Sequence, residues 1–540
     1  MKHTPAVPQH SVYGYGGMVS AGGSLAAASG LDAMRSGGNA VDAVIAAAYV
    51  QSVVEFPWGG IGGDAFVLVR TPTGEVFAMN GSGAAPMKLG AHVAEGETIG
   101  RFGPLSVSVP CFSRAVEALH TRFGSKSFAD LIGPAIEYAD DGFAMTPELR
   151  SACTKVLGTL EQGSGLRELL ESNSLEVGSR FMHKHLAATL SAVAEGGADV
   201  FAAEIGEKIA SSMAARGGAL TPDDFAASEP CWTDPMSLRY RGVDVRTHPP
   251  VSMGGVLLIE LGLYERLAID RGDPLDPIRV DAMVRCKHAA FARWTAVMND
   301  PELRGSEEPE LAGAVHAALL DESVLNSIAE DLLSTPVAEL RRPEPPGDGS
   351  DTTCVVAADS EGYCAAIIHS LFNEFGSREL DPATGVLLND RLANQRYATG
   401  GLGGIAGGHR PQHTLNAVFI DGGDQPSMML ATPGGRGQVQ SNLQVIANVY
   451  DAGLDVQQAI DAPRWLSGAP RRPEPNDHLF LEPGFPTELR DALTARGHKI
   501  AEPDEVSSDL FGSCIAVGRS SGGALYAAAD HRREARTASY

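Results

Sequence analysis

Residues 341–350 (Arg-Arg-Pro-Glu-Pro-Pro-Gly-Asp-Gly-Ser) run straight into Asp351-Thr352-Thr353-Cys354. Three prolines and two glycines in that stretch break any helix and any central strand. The chain beyond it is β-rich. Residues 352–358 and 363–370 are two apolar runs joined by the turn sequence Asp359-Ser360-Glu361-Gly362. An irregular linker therefore delivers a threonine to the first position of a hairpin strand. Cutting the Asp351–Thr352 bond would make Thr352 a chain N-terminus carrying a hydroxyl nucleophile and a free α-amine. An α-amine has a reference pKa of about 8, so it accepts the hydroxyl proton near neutral pH, directly or through water. If Ala358 pairs with Tyr363, Thr352 lies opposite His369. A one-residue bulge puts it opposite Ser370 instead, and register alone does not choose. Read alone, Thr352-Thr353 is also what the start of a buried strand looks like.

A second element narrows the reading. Residues 428–432 form a strand signal, Pro433-Gly434-Gly435-Arg436-Gly437 comes next, and a helix pattern runs from about 438 to 450. Glycines between a strand and a helix N-terminus expose backbone N–H groups to an anion. Gly434 and Gly435 are thus candidates for an oxyanion hole in acyl transfer. Gly60-Ile61-Gly62-Gly63-Asp64-Ala65 resembles a dinucleotide loop in spacing. It lies between a helix and a strand, however, the wrong order for that fold, so turn glycines are the expected reading.

The remaining elements suit a large soluble enzyme. A helix over 24–34 stops at Gly37-Gly38, and Asn39 caps a second helix reaching about Val54, with Asp42 in its first turn. Residues 66–70 and 75–79 form a hairpin around Pro72-Thr73-Gly74, and 113–341 is mostly helical with a strand signal at 237–245. With 540 residues, the chain is too long for one ordinary core. A net charge of −25 argues against a nucleic-acid partner, because phosphate binding needs a basic surface. The longest apolar stretch, 40–54, is interrupted by Asp42, Gln51 and Ser52. It reads as a buried helix rather than a membrane span. No apolar targeting segment follows the N-terminus. Seven scattered cysteines without a C-x-x-C read as reduced thiols in a cytoplasmic protein. His183/His185 and His409/His413 lack companions at metal-ligand spacing, so neither metal nor cofactor is expected.

In chain order, the motifs resemble those of the γ-glutamyltranspeptidase family. They are Gly37-Gly38-Asn39-Ala40-Val41-Asp42-Ala43, Gly60-Ile61-Gly62-Gly63, Pro249-Pro250 with Gly254-Gly255, Asp351-Thr352-Thr353, Thr432-Pro433-Gly434-Gly435 and Ala528-Ala529-Asp530-His531-Arg532. The resemblance implies an α+β fold, a four-layer αββα N-terminal-nucleophile sandwich. It implies autocleavage into a large chain, 1–351, and a small catalytic chain, 352–540, that stay intertwined. It also assigns Ser370 to the position whose hydroxyl bonds the nucleophile. The implied partner is a small-molecule amide, with a homo-oligomer left open.

The sequence departs from the glutathione-cleaving members where they clamp the γ-glutamyl group. Ser82 stands where an Arg is expected, and His413-Thr414 replaces two adjacent serines. Phe372, Arg391 and Asn394 fall at Asn, Gln and Asp positions. Losing one buried charged partner costs about 2–5 kcal/mol, so a γ-glutamyl preference is not expected. Arg391, and His413 when protonated, could instead receive a small acyl carboxylate, the alternative for Arg391 being a structural ion pair. The stretch from Asn394 to Arg410 is short and Gly-rich, and His413-Thr414-Leu415-Asn416 and Gly62-Gly63-Asp64-Ala65-Phe66 resemble more the branch that includes oxamate amidohydrolase. The expected activity is amide hydrolysis or acyl transfer through an acyl-Thr352 ester with an anionic or α-oxo acyl group. A glutathione hydrolase, a C–C hydrolase or acylase of a natural-product pathway, and a non-catalytic binding protein are the alternatives.

Overall fold

The computed structural model describes residues 10–298, 309–340, 351–399, 404–423, 425, 427–468, 478–501 and 508–540. The linker at 341–350 and Gly400, Gly401 and Gly403 lie outside them. Two seven-stranded sheets, each antiparallel throughout, form the centre. One runs in the order Arg536–Ser539, Gly17–Ala21, Asp351–Asp359, Cys364–Phe372, Asp64–Arg70, Val76–Gly81, Cys231–Thr233. The other runs Val12–Gly14, Leu525–Ala529, Ile515–Arg519, Ser427–Ala431, Val418–Asp421, Val243–Thr247, Met236–Tyr240.

Side-chain parity builds the layers. Along Asp351–Asp359, Val355 and Ala357 join a core with the helices Ser24–Arg35 and Ala40–Val54, whereas Cys354 and Val356 face Met429, Ile515 and Val517 of the other sheet. Successive strand residues point to opposite faces, so a strand covered on both sides reads as an unbroken apolar run. A third core packs the second sheet under the helices Gly254–Arg266, Pro277–Met298 and Gly437–Tyr450. Helices, two sheets and helices again make the αββα sandwich.

Local chemistry explains several boundaries. Asn39 accepts from the N–H groups of Val41 and Asp42 while the Asp42 carboxylate accepts from Asn39 N–H, a reciprocal cap for Ala40–Val54. The strand expected at 237–245 is a hairpin, because Arg241 and Gly242 both take positive φ (49° and 83°). A two-residue turn of that kind matches strand twist, but Arg-Gly is a weak sequence signal for it. Residues 184–215 are long and apolar enough to cross a membrane by composition. Gly197 (φ 69°) breaks their helical path, and the helix packs on Phe128–Asp141.

One buried charge sets a pH dependence. Glu260, on Gly254–Arg266, is fully buried, and neither carboxyl oxygen has a hydrogen-bond partner among the described residues. Burial pushes its carboxyl up to about 8, against a partial opposing pull from Lys287. Below the unfolded value of about 4.5 both states are protonated and nothing is lost. Stability falls as pH rises from there to about 8, because only the folded state resists ionisation. Glu260→Gln is therefore expected to flatten the decline in Tm between about pH 5 and pH 9, read by calorimetry. An unchanged slope would remove Glu260 as its source.

Candidate active site

Thr352 is buried at the head of the central strand Asp351–Asp359. The hairpin register pairs Ala358 with Cys364 and Thr353 with His369, and shifts at the bulge between Asp351 and Thr353 so that Asp351 faces Phe372. Ser370, not His369, thus comes across from Thr352. The cause is the turn. Asp359 Oδ1 accepts from Gly362 N–H and Tyr363 N–H, so the loop is one residue longer than the shortest pairing allows.

In the full-length chain Ser370 Oγ donates to the Asp351 carbonyl at 2.7 Å and accepts from Phe372 N–H at 2.8 Å. That carbonyl belongs to the peptide bond preceding Thr352. A hydroxyl donor there favours negative charge on the oxygen, the direction of charge flow when a nucleophile adds. Phe372 holds φ 83°, a left-handed conformation costing a non-glycine residue of order 1–3 kcal/mol, and this turns its N–H back onto Ser370. The Gly60–Gly63 turn braces the same spot: a Cβ on Gly63 would lie 2.2 Å from the Ser370 carbonyl oxygen. Gly62 makes a similar approach, its Cβ position lying 2.1 Å from the Leu387 carbonyl oxygen, so these two glycines serve close backbone packing.

His369 points to the other face. Its Nε2 lies 3.1 Å from Gln51 Oε1, and burial lowers it to about 3, so it is neutral. Gln51 Nε2 donates to Thr353 Oγ at 2.7 Å, and Thr353 Oγ donates to Glu55. Burial is the main cause that lifts the Glu55 carboxyl to about 7, with Thr353 and Gln51 opposing.

Gly434 and Gly435 take φ 128° and 54° between the strand Ser427–Ala431 and the helix Gly437–Tyr450. Gly437 N–H and Gln438 N–H bond to the carbonyls of Gly434 and Gly435, and neither bond uses the N–H of those two glycines. The loop at Phe511–Ser513 supports the turn: Ser513 N–H donates to Thr432 Oγ at 3.2 Å. The C-terminal motif holds that loop. Arg464 donates to the Phe511 carbonyl (2.7 Å) and to Asp530, which also accepts from Cys514 N–H. Burial alone would raise the Asp530 carboxyl, but Arg464 and Arg532 outweigh it and hold it at about 2.

Of the six residues considered for substrate contacts, Phe372 lies opposite Asp351 and donates its N–H to Ser370, and none of the six lines the cavity beside Thr352. Arg391 Nε donates to Asp64 Oδ2 at 2.9 Å with both side chains buried, and its guanidinium lies 4.4 Å from the Phe372 ring centroid. Asp64 also accepts from Gly83 N–H and lies 3.2 Å from His413 Nε2. Burial, then Arg391, lowers His413 to about 4, so it carries no charge near neutrality. Arg391 thus forms the buried ion pair with Asp64 that the sequence left open as an alternative, through Nε alone, while its Nη1 and Nη2 have no hydrogen-bond partner among the described residues. Ser82 donates to Asn80 Oδ1 at 2.6 Å. Thr414 is buried, and its carbonyl accepts from Asn416. Asn394 is exposed in a left-handed turn (φ 61°).

The cavity beside Thr352, about 390 Å³, has a different wall. Glu55, Trp58, Glu148, Pro433, Ser513 and Arg533 line it together with Thr352, and none of the six substrate-contact candidates does. Its volume is in the range of small-molecule sites. Arg533 Nη2 donates to Asp351 Oδ1 at 3.1 Å, and its Nε lies 3.8 Å from Glu148. No sequence motif marked Glu55, Glu148 or Ser513. Arg533 directly follows the terminal motif, and that adjacency was the one available signal.

Comparison with known proteins gives the family. The gamma-glutamyltranspeptidase family profile matches residues 26–540. The chain is 30% identical to the oxamate amidohydrolase proenzyme of Klebsiella pneumoniae over 534 residues, covering 97% of this chain and 98% of that one. It is 29% identical to the glutathione hydrolase-like YwrD proenzyme of Bacillus subtilis over 531 residues, covering 97% and 98%. Among solved structures, cephalosporin acylase from Bacillus halodurans superposes with a TM-score of 0.85 at 28% identity, covering 100% of this chain and 99% of that one. The chain belongs to the γ-glutamyltranspeptidase family and is an N-terminal-nucleophile hydrolase.

Proposed function

We propose that the protein cleaves itself before Thr352 and then hydrolyses a small amide whose acyl group carries a carboxylate. The observation that carries this reading is Thr352 on the wall of the 390 Å³ cavity, with Ser370 across the hairpin and the Pro433-Gly434-Gly435 turn beside it. In the first reaction Thr352 Oγ adds to the Asp351 carbonyl carbon, its proton passes to the Thr352 nitrogen as the C–N bond breaks, and Asp351 becomes an ester on Thr352. Water then releases the Asp351 carboxylate and leaves a free α-amine. In the second, that amine takes the hydroxyl proton as Oγ adds to the substrate carbonyl. The Gly434 and Gly435 N–H groups hold the oxyanion. The proton passes to the leaving nitrogen as the C–N bond breaks, and water hydrolyses the acyl-Thr352 ester to restore the hydroxyl.

The relatives support the acyl preference: an oxamate amidohydrolase aligns over nearly its whole length. The carboxylates Glu55, Glu148 and Glu534 on the cavity wall favour a second reading, in which an α-ammonium is also held and the substrate is glutathione-like. One substrate panel separates them. The processed enzyme is expected to release ammonia from oxamate or a longer ω-carboxyl amide with at least about tenfold higher kcat/KM than it releases p-nitroaniline from γ-glutamyl-p-nitroanilide. The reverse order would transfer the assignment to the second reading.

A further inference from the structure

The Asp351 acyl group is the first acyl group Thr352 attacks, and the fold already grips it at two points. Its carbonyl oxygen accepts from Ser370 Oγ at 2.7 Å, and its side-chain carboxylate accepts from Arg533 Nη2 at 3.1 Å. Both groups are buried, Arg533 side chain 9% and Asp351 3% exposed, and Arg533 and Thr352 line one cavity. A later substrate must bring its reacting carbonyl to the same Oγ.

We propose that Asp351 is a built-in substrate analogue, and that after cleavage Arg533 Nη2 passes from the Asp351 carboxylate to the carboxylate of the substrate acyl group. The spacing then follows from covalent structure. In an aspartyl group the side-chain carboxylate is two carbons from the reacting carbonyl. The acyl group that puts its carbonyl carbon on Thr352 Oγ and its carboxylate on Arg533 is succinyl-like, and the simplest amide is succinamate. An arginine fork suits this task because its planar donors hold a carboxylate in a fixed orientation.

The other charges on the wall do not duplicate the grip. Glu148 lies 3.8 Å from Arg533 Nε, a different nitrogen, and Glu534 accepts from Glu148 N–H at 3.3 Å. Glu55 is engaged by Thr353. Arg536 also borders the cavity, at the start of the terminal strand. Arg391, the other buried arginine near the hairpin end, is bonded to Asp64 and off the wall. Arg533 is the wall cation that contacts the acyl group Thr352 first attacks.

The subsite rests on the acyl-Thr352 reading above, and its test has three arms. Processed wild type is assayed on oxamate, malonamate, succinamate and glutaramate, with butyramide as the neutral counterpart of succinamate. The expected kcat/KM maximum is at succinamate; a maximum at any other length overturns the spacing argument. Arg533→Gln is expected to lose about 30-fold or more on succinamate and less than about threefold on butyramide. Equal losses on both would make Arg533 a scaffold residue and overturn the subsite. Should Arg533→Gln stay a single chain, Arg533→Lys supplies the processed comparison. It keeps the charge but not the fork, with a loss of about tenfold expected on succinamate, and equal losses on the two amides again overturn the subsite. Calorimetric titration of succinate into processed wild type and variant reads the subsite without turnover. Weaker succinate binding in the variant supports it, even in a preparation that hydrolyses none of the amides, a result that would sink the proposed activity alone. Equal succinate binding by wild type and variant overturns it.

Discussion

Thr352→Ala is expected to yield one uncleaved 540-residue chain with no measurable turnover. The hydroxyl is the only group at the head of the strand Asp351–Asp359 that lies across from Ser370 and borders the cavity. Removing the attacking hydroxyl of a hydrolase costs on the order of 10⁶ in kcat, and here the same atom also performs the first cleavage. Thr352→Ser keeps that atom and should retain part of both reactions. Intact mass and N-terminal sequencing of the small chain decide the matter. A small chain beginning at any residue other than Thr352 would end the nucleophile assignment. Ser370→Ala should slow the self-cleavage as well, because it strips the donor from the Asp351 carbonyl.

The second large effect belongs to the glycine turn. Gly434→Ala is expected to lower kcat by about 10²–10³, the loss associated with one oxyanion donor. Space is not the issue, since a Cβ on Gly434 would find nothing nearer than the Gly512 Cα at 3.5 Å. The constraint is φ 128°, which a side chain resists, so the turn and its N–H groups would re-aim. KM should change little, because the ground-state carbonyl needs these donors less than the oxyanion does. An unchanged kcat, with thermal stability also intact, would take the turn out of the chemistry.

Much of this was readable from the chain because the relevant signals are local. The Asn39–Asp42 cap and the strand–glycine–helix passage at 428–450 each depend on neighbours in sequence. The hairpin register was half legible. The pairing stayed ambiguous until the Asp359 carboxylate, which bonds two N–H groups of the loop, fixed the loop length. The cavity wall was not legible at all. Glu55 ends a helix, Glu148 begins another, Ser513 lies in a loop and Arg533 follows a strand. Only the sheet order brings them together. Arg391 shows a long-range pairing that the sequence also hid. Its Nε donates to Asp64, more than three hundred residues earlier and paired with Ser370 on the neighbouring strand.

The strand Gly17–Ala21 lies between Asp351–Asp359 on one side and Arg536–Ser539 on the other. A segment from before Thr352 is therefore clasped by two segments from after it. Cutting between Asp351 and Thr352 would remove one covalent bond and leave both pairings of Gly17–Ala21 in place, yet it would change the molecularity of folding. The uncut chain refolds alone, at a rate independent of concentration. The cut pair has to meet first, so its midpoint of unfolding acquires a dependence on protein concentration. Dilute samples of the processed enzyme should recover poorly after heating under conditions where Thr352→Ala recovers well. Self-cleavage would then act as a one-way step, with assembly completed while the chain is still whole.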